Sequence, residues 1–216
     1  HFCMLGVCSN MRADLEAILP EQFTFTEDRD YADYIYLRSD LFTLKGKKFQ
    51  AKRNHINRFR NTYPDYEYTP ITPDRIQECL DLEAEWCKVN NCDQQEGTGN
   101  ERRALIYALH NFEALGLTGG ILHVNGKIVA FTFGMPINHE TFGVHVEKAD
   151  TSIEGAYAMI NYEFANRIPE QYIYINREED LGIEGLRKAK LSYQPVTILE
   201  KYMACLQDHP MNMVKW

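Results

Sequence analysis

The densest group of side chains that could do chemistry lies between Asn176 and Tyr193. Residues Tyr172–Asn176 are aromatic and β-branched, which predicts a short buried strand, and polar residues begin where it ends. A short helix is predicted over Ile183–Leu191. The candidates in this stretch are the carboxylates Glu178 and Asp180 and the ligand-binding residues Asn176, Arg187, Lys190 and Tyr193.

Two cations of this helix, Arg187 and Lys190, are three residues apart and therefore share one helix face. Together with Tyr193 they could hold a phosphate or the 3′ end of a tRNA. So many polar groups converging after a buried strand are typical of a functional site. An internal salt-bridge network that ties the helix to the sheet is the alternative.

His145 and Glu147 form a second pair of candidate catalytic residues. They alternate with valines in the predicted strand Thr141–Glu147, and residues i and i+2 of a strand point to the same face. The pKa of an unperturbed histidine is near neutrality, so His145 is a possible base. A hydrogen-bonded structural histidine is equally consistent with this pattern.

A basic segment supplies the candidate nucleic-acid contacts. Leu41–Pro64 contains seven of the 23 Lys and Arg residues and no acid, whereas the whole chain has a net charge of −8. Phe49, Ile56 and Phe59 follow helical spacing and predict a narrow apolar stripe. The predicted phosphate or polar contacts are Lys47, Lys48, Lys52, Arg53, Asn54 and His55. A solvated helix face is the alternative.

The order of predicted elements indicates an α+β fold with a mixed sheet and flanking helices. Its clearest signal is a β-hairpin over Gly120–Gly134, turning at Asn125-Gly126. A helix opens near Gly155 and extends to about Arg167, and a last strand covers Val196–Met203. The first residues resemble a chain entered in mid-strand, so we expect that an N-terminal segment precedes them.

The composition limits which metals and which cellular compartment are expected for this protein. The six cysteines form no CxxC pair and no metal-ligand spacing, which predicts free reduced thiols and no metal. No run approaches the length of about 18 apolar residues that a membrane span needs, and no signal peptide is evident. We therefore expect a cytoplasmic protein without a transmembrane segment.

Two segments resemble the phosphatidylglycerol lysyltransferase C-terminal-like family, in its soluble branch. They are Leu44–Phe59 and Tyr174–Pro195. The resemblance implies a tandem of acyl-CoA-N-acyltransferase-like (GNAT-like) units, distantly related to Fem-type transferases. Residues 1–66 would be the remainder of an incomplete first unit, and residues 67–216 the second, transferase unit. The membrane-spanning flippase part of the better-understood members is not in this sequence.

The resemblance implies transfer of an amino acid from aminoacyl-tRNA to a lipid head group or another amine or hydroxyl acceptor. Asp180 or Glu178 would then orient the attacking amine. No covalent enzyme nucleophile is needed, and no cofactor is expected. One alternative is a CoA-dependent N-acyltransferase that binds acetyl-CoA at Lys148–Gly155, although this loop has no Gly-x-Gly pattern. Another is a non-catalytic tRNA-binding module.

Overall fold

The chain folds into two compact units. The computed structural model describes residues 2–90 and 96–207, with only the backbone for residues 96–100. Unit 2 is the continuous stretch Tyr36–Arg177, and unit 1 combines the residues up to Ile35 with those from Glu178 onward. These compact units do not coincide with the predicted boundary between residues 66 and 67, because strands from both ends of the chain pair with each other in unit 1. The division into two GNAT-like units stays a prediction.

Unit 1 is built on a small antiparallel sheet. Its elements are β1 (Cys3–Cys8), α1 (Ser9–Ile18), β2 (Phe23–Glu27), a 3₁₀ turn (Arg29–Tyr31), the start of β3 (Asp33–Leu37), α7 (Glu184–Leu191), β9 (Thr197–Leu199) and β10 (Lys201–Leu206). Strand β10 lies between β1 and β2, and β9 pairs antiparallel with the first residues of β3. Val7, Tyr202 and Ala204 form the core of the three-stranded sheet.

A disulfide joins the two ends of unit 1 and corrects the prediction of six free thiols. Cys3 and Cys205 face each other in the register of β1 and β10, with their Cα atoms 4.1 Å apart, and their sulfur atoms are bonded. Cys8, Cys79 and Cys87 are free, as predicted. Cys92 lies outside the described residues. The pairing was missed because 202 residues separate the two cysteines and only the strand pairing brings them together.

Unit 2 contains a mixed sheet with helices on both faces. Its elements are α2 (Arg38–Thr43), a 3₁₀ turn (Lys47–Phe49), α3 (Gln50–Thr62), β4 (Glu67–Pro70), a 3₁₀ turn (Pro73–Arg75), α4 (Ile76–Asn90), α5 (Glu96–His110), β5 (Thr118–Val124), β6 (Lys127–Pro136), β7 (Thr141–Ala149), α6 (Ala156–Arg167) and β8 (Tyr174–Asn176). The strand order is β4-β5-β6-β7-β8, antiparallel except for the parallel pair β7/β8. The predicted α+β class is confirmed.

Side chains that alternate along the strands divide the two faces of this sheet. Phe131, Phe133 and Val146 pack with α4 and α5 in one core cluster. Glu147, the next residue of β7, instead contacts α6 through Asn161. The hairpin β5/β6 turns at Asn125-Gly126 as predicted, and both residues have the positive φ angles, 52° and 73°, that a type I′ turn requires.

No helix within residues 2–90 and 96–207 is both long and apolar enough to cross a membrane. The predicted polar loop Asn91–Gly99 falls largely outside the described residues, and its backbone from Glu96 onward belongs to α5.

Candidate functional site

In unit 2, the parallel strands β7 and β8 are paired over only three residues each. Thr141–Gly143 pair with Tyr174–Asn176. Beyond this point β7 continues to Ala149 along β6, whereas β8 ends and Arg177 follows. In a parallel sheet, ligands characteristically bind beyond the carboxyl ends of the strands, so the residues at this position are candidates for a site.

An ion pair between Glu147 and Arg177 lies at this position. Nη2 of Arg177 is 2.9 Å from Oε1 of Glu147, and the two side chains are only 11% and 14% exposed. Burying two charges is unfavourable unless they are paired and hydrogen-bonded. The pair therefore holds the Glu147 carboxylate in one place.

Asn161 completes the environment of Glu147 from α6. Its side-chain amide donates to Oε2 of Glu147 at 3.2 Å, and the residue is only 5% exposed. Its carbonyl Oδ1 is buried and has no hydrogen-bond partner among residues 2–90 and 96–207. An unused buried acceptor of this kind is costly and is rare in native structures. It is therefore a place where a ligand could supply a donor.

Lys52 adds a cation to the same group. It lies on α3, and its pKa is lowered to about 8, first by burial and then by the charge of Arg177, while Glu147 acts in the opposite direction. Lys52 occupies the position between Phe49 and Ile56 in the buried stripe of this helix, which explains why it faces inward. Its predicted contact with nucleic acid stays a prediction.

His145 lies in a β-bulge next to this cluster. Val144 is opposite Gly134 and Val146 is opposite Phe133, so His145 is an extra residue in β7. The alternation that predicted a shared face with Glu147 is interrupted at this point. Its predicted role as a base stays a prediction.

In unit 1, the predicted carboxylate Asp180 is fully buried and surrounded by donors. Arg187 donates from Nε to Oδ2 at 2.8 Å and from Nη2 to Oδ1 at 2.7 Å. The hydroxyl of Tyr34 donates to Oδ2 at 2.5 Å, and the N–H of Gly182 donates to Oδ1 at 2.9 Å. Nη1 of Arg29 is 3.5 Å from Oδ2. The guanidinium of Arg187, followed by Tyr34, holds the pKa of Asp180 well below its usual range. Such a carboxylate is a weak proton acceptor, which favours the structural alternative.

The other predicted residues of this stretch also contact their own unit. Arg187 binds Asp30 at 2.6 Å as well as Asp180. Lys190 is buried, and its Nζ is 3.3 Å from the carbonyl oxygen of Glu178. Glu178 has a left-handed backbone with a φ of 56°. The ligand-binding roles of Arg187 and Lys190, and of buried Asn176 and Tyr193, stay predictions.

The basic segment forms the predicted helix, with Phe49, Ile56 and Phe59 buried, but its cations point in different directions. Arg53 donates to the carbonyl oxygens of Leu44 and Gly46, and Lys48 forms a 2.9 Å ion pair with Asp40. Asn54 accepts a hydrogen bond from Gln50. Lys47 and His55 are exposed. These six residues therefore do not form one outward-facing stripe.

Helix α3 covers the N-terminus of α6. The CoA-dependent alternative predicts that the CoA pyrophosphate binds at this helix start. Gly155 has a φ of 87°, and a Cβ atom there would lie 2.9 Å from the carbonyl oxygen of His55 and 3.1 Å from Cβ of Phe59. Arg58 of α3 also binds Glu154 just before this helix begins. Little room is left at this helix start for a bound phosphate.

The sequence over residues 1–205 matches the family model for the C-terminal part of phosphatidylglycerol lysyltransferase. The chain belongs to this family. The resemblance stated from the two sequence segments is therefore confirmed, and membership in a transferase family supports a transferase.

Two solved structures are similar to this chain. A conserved protein of unknown function from Bacteroides thetaiotaomicron VPI-5482 is 97% identical, with a TM-score of 0.92, over 95% of this chain and 70% of that chain. L-PGS from Bacillus licheniformis is 17% identical, with a TM-score of 0.63, over 97% of this chain and 68% of that chain. At this identity the second likeness shows the fold alone.

One relative was found by sequence. An uncharacterized protein from Mycoplasmoides gallisepticum is 25% identical over 177 residues, which is 79% of this chain. The chain spans about half, 55%, of that protein's length. Among the described residues of this family member, no His, Cys, Asp and Glu side chains group into a metal site.

Neither Asn161 nor Arg177 was among the site residues predicted from the sequence. The signal for Asn161 was present, because it occupies an inward position of α6 among Ala158, Ile160 and Phe164. A polar residue among apolar ones is often only a satisfied core residue. The hydrogen bond of Asn161 to Glu147 on β7 distinguishes a site residue from a satisfied core residue. This contact is visible only in the folded chain.

Proposed function

We propose that this chain is an aminoacyltransferase that moves an amino acid from aminoacyl-tRNA to an amine or hydroxyl group, with a lipid head group as the first acceptor to test. The proposal rests on family membership and on the Glu147–Arg177–Asn161–Lys52 cluster of unit 2. The donor would place the reaction in the cytoplasm, where charged tRNA is found.

The observation that carries the proposal is the unused acceptor next to a fixed carboxylate. Oδ1 of Asn161 is buried without a partner in the described chain, and beside it Glu147 accepts hydrogen bonds from Asn161 and Arg177. A primary ammonium has three donors and a positive charge that match these acceptors. The α-ammonium of an esterified amino acid has this chemistry, whereas an acetyl group has neither the charge nor the donors.

Lys52 supplies a means of activating the acceptor. Attack on the ester requires an acceptor amine or hydroxyl that loses a proton, and a general base is most effective when its pKa is near the working pH. With a pKa of about 8, a substantial fraction of Lys52 is neutral in mildly alkaline solution and can accept that proton. Arg177 keeps this pKa low, because two neighbouring cations disfavour each other's charge.

The two alternatives have less support. A CoA-dependent acyltransferase needs space for the pyrophosphate, and α3 packs closely on Gly155 at the start of α6. A purely tRNA-binding module would not require a buried carboxylate with an unused acceptor beside it. Exposed cations of the basic segment, such as Lys47, could still contact the phosphates of the donor.

The direct test uses the full-length protein, bacterial tRNA charged with a mixture of amino acids, and vesicles containing phosphatidylglycerol. We expect faster loss of at least one aminoacyl ester than in buffer, together with an aminoacylated product. Glu147→Gln should lower this rate about 10- to 100-fold, because it removes the charge that holds the ammonium. Glu170→Gln, at an exposed position after α6, is the matched control and should match wild type.

Two results would contradict the proposal. One is an unchanged decay of every aminoacyl ester, with and without vesicles. The other is consumption of acetyl-CoA that depends on Glu147, which would instead support the CoA alternative.

A further inference from the structure

The hydroxyl of Tyr157 accepts a hydrogen bond from a tryptophan. Nε1 of Trp86 donates to it at 2.9 Å. An indole nitrogen can only donate, so the direction of this bond is certain. A phenol hydroxyl donates as well as accepts, so the proton of Tyr157 remains available to another group.

Trp86 is itself fixed in position. Nζ of Lys148 lies 3.6 Å from the centre of its ring, and the same Nζ is 2.9 Å from Oε1 of Glu101. Lys148 is only 5% exposed, and a partly desolvated cation over an indole ring is the stronger form of this contact. The Tyr157 hydroxyl is therefore oriented by a rigid neighbour.

Tyr157 lies beside the proposed site. It is four residues before Asn161 on α6, so the two side chains share one face of the helix and are about one turn apart. The backbone of Ala149, which influences the pKa of Tyr157, is two residues after Glu147 on β7, about 7 Å along the strand. The charge of Glu147 also contributes to raising the pKa of Tyr157. Asn161 and Tyr157 thus reach β7 at and just beyond Glu147.

We propose that Tyr157 is a further catalytic residue, which donates its O–H to the oxyanion that forms on the ester carbonyl during aminoacyl transfer. This inference rests on the proposed function. The acceptor attacks the carbonyl carbon, and the C=O electron pair moves to the oxygen that Tyr157 contacts. The C=O bond then re-forms and the bond to the ribose oxygen breaks. The acceptor's proton passes to Lys52 and from there to the ribose oxygen, so Tyr157 keeps its own proton throughout.

The environment of Tyr157 suits this role. Burial raises its pKa, and this effect outweighs the opposing influence of Trp86 and of the Ala149 backbone, so the hydroxyl stays protonated at neutral pH. The hydrogen bond from Trp86 also makes it a preorganised donor that needs no rearrangement when charge develops on the substrate.

The test compares steady-state kinetics of full-length Tyr157→Phe and wild type with charged tRNA and the acceptor that supports activity. We expect kcat to fall about 100- to 1000-fold, as for loss of one oxyanion donor, with KM nearly unchanged. Trp86→Phe removes only the orienting donor and should give a smaller fall in kcat. Tyr107→Phe, on the exposed face of α5, should match wild type. Circular dichroism and thermal melting verify that each variant is folded.

The possible failures are distinguishable. A folded Tyr157→Phe variant that keeps more than a tenth of the wild-type kcat, or that changes only KM, overturns this inference and leaves the proposed function intact. A wild-type protein without transfer activity overturns the proposed function and this inference with it.

Discussion

Replacing Asp180 with asparagine separates the structural role of this carboxylate from the predicted catalytic one. An amide keeps one acceptor oxygen and places an NH₂ group where the other oxygen was. Whichever of the two oxygens the NH₂ group replaces, at least two groups that now donate to Asp180 would face another donor. If it replaces Oδ1, these groups are Nη2 of Arg187 and the N–H of Gly182. Each such loss at a buried group costs about 1–3 kcal/mol. Since Arg187 keeps Asp30 as a partner, we expect Asp180→Asn to lower the free energy of unfolding by about 3 kcal/mol at pH 7.

The effect should depend on pH in a defined direction. The pKa of Asp180 in the folded protein is depressed below its unfolded value of 3.8, so its contribution to stability is present above pH 4 and decreases as the pH falls further. Asparagine does not titrate. The stability difference between wild type and Asp180→Asn should therefore be largest near neutrality and smaller at pH 3.

Urea unfolding followed by circular dichroism at pH 7 and pH 3 measures both quantities. Asp81→Asn, at an exposed position of α4, is the control and should change stability by less than about 0.5 kcal/mol. A loss below 1 kcal/mol at pH 7, or a difference that does not shrink at pH 3, would refute the structural reasoning. Full stability with lost transferase activity would instead support the catalytic prediction.

Two further predictions concern Lys52 and the disulfide. The kcat/KM of transfer, corrected for spontaneous ester hydrolysis, should rise with pH through about 8 as Lys52 of the free enzyme becomes neutral. Lys52→Met should remove this rise and lower the rate about 100-fold, while Lys127→Met, at an exposed position at the start of β6, should not. An unaltered pH profile in Lys52→Met would exclude Lys52 as the base. Reducing the Cys3–Cys205 disulfide should lower the free energy of unfolding by about 2–4 kcal/mol, measured by urea unfolding with reductant and compared with unfolding without it. Cys8→Ser, at a free cysteine, should not lower it. Equal stability with and without reductant would contradict the pairing.

Local signals in the sequence predicted much of the fold. The Asn125-Gly126 turn, the apolar stripe of α3 and the helix start after Gly155 depend on neighbouring residues, and all three are present. The sequence patterns did not predict α2, β2 and β4. The strands β2 and β4 are only five and four residues long, and partners far away in the chain, β10 and β5, stabilise them.

The candidate site was harder to predict, because its contacts are long-range. Glu147 was identified from strand alternation, but Arg177, its partner, is 30 residues away and Asn161 is 14 residues away. Asp180 was identified from the convergence of polar residues. That sequence pattern is equally compatible with catalysis and with a salt-bridge network. The positions of Tyr34 and Arg187 around Asp180 favour the salt-bridge network, and they are known only from the structure.

The charges of the unit 2 cluster imply an order of events in the proposed reaction. Without substrate, Glu147 forms an ion pair with Arg177, and its charge also raises the pKa of nearby Lys52. A bound ammonium adds a third cation at Glu147 and Asn161, and this addition lowers the pKa of Lys52 further, since like charges disfavour each other. Binding of the donor would thus generate the neutral amine that deprotonates the acceptor. The same lysine would stay largely protonated, and a poor base, until an aminoacyl group is in place.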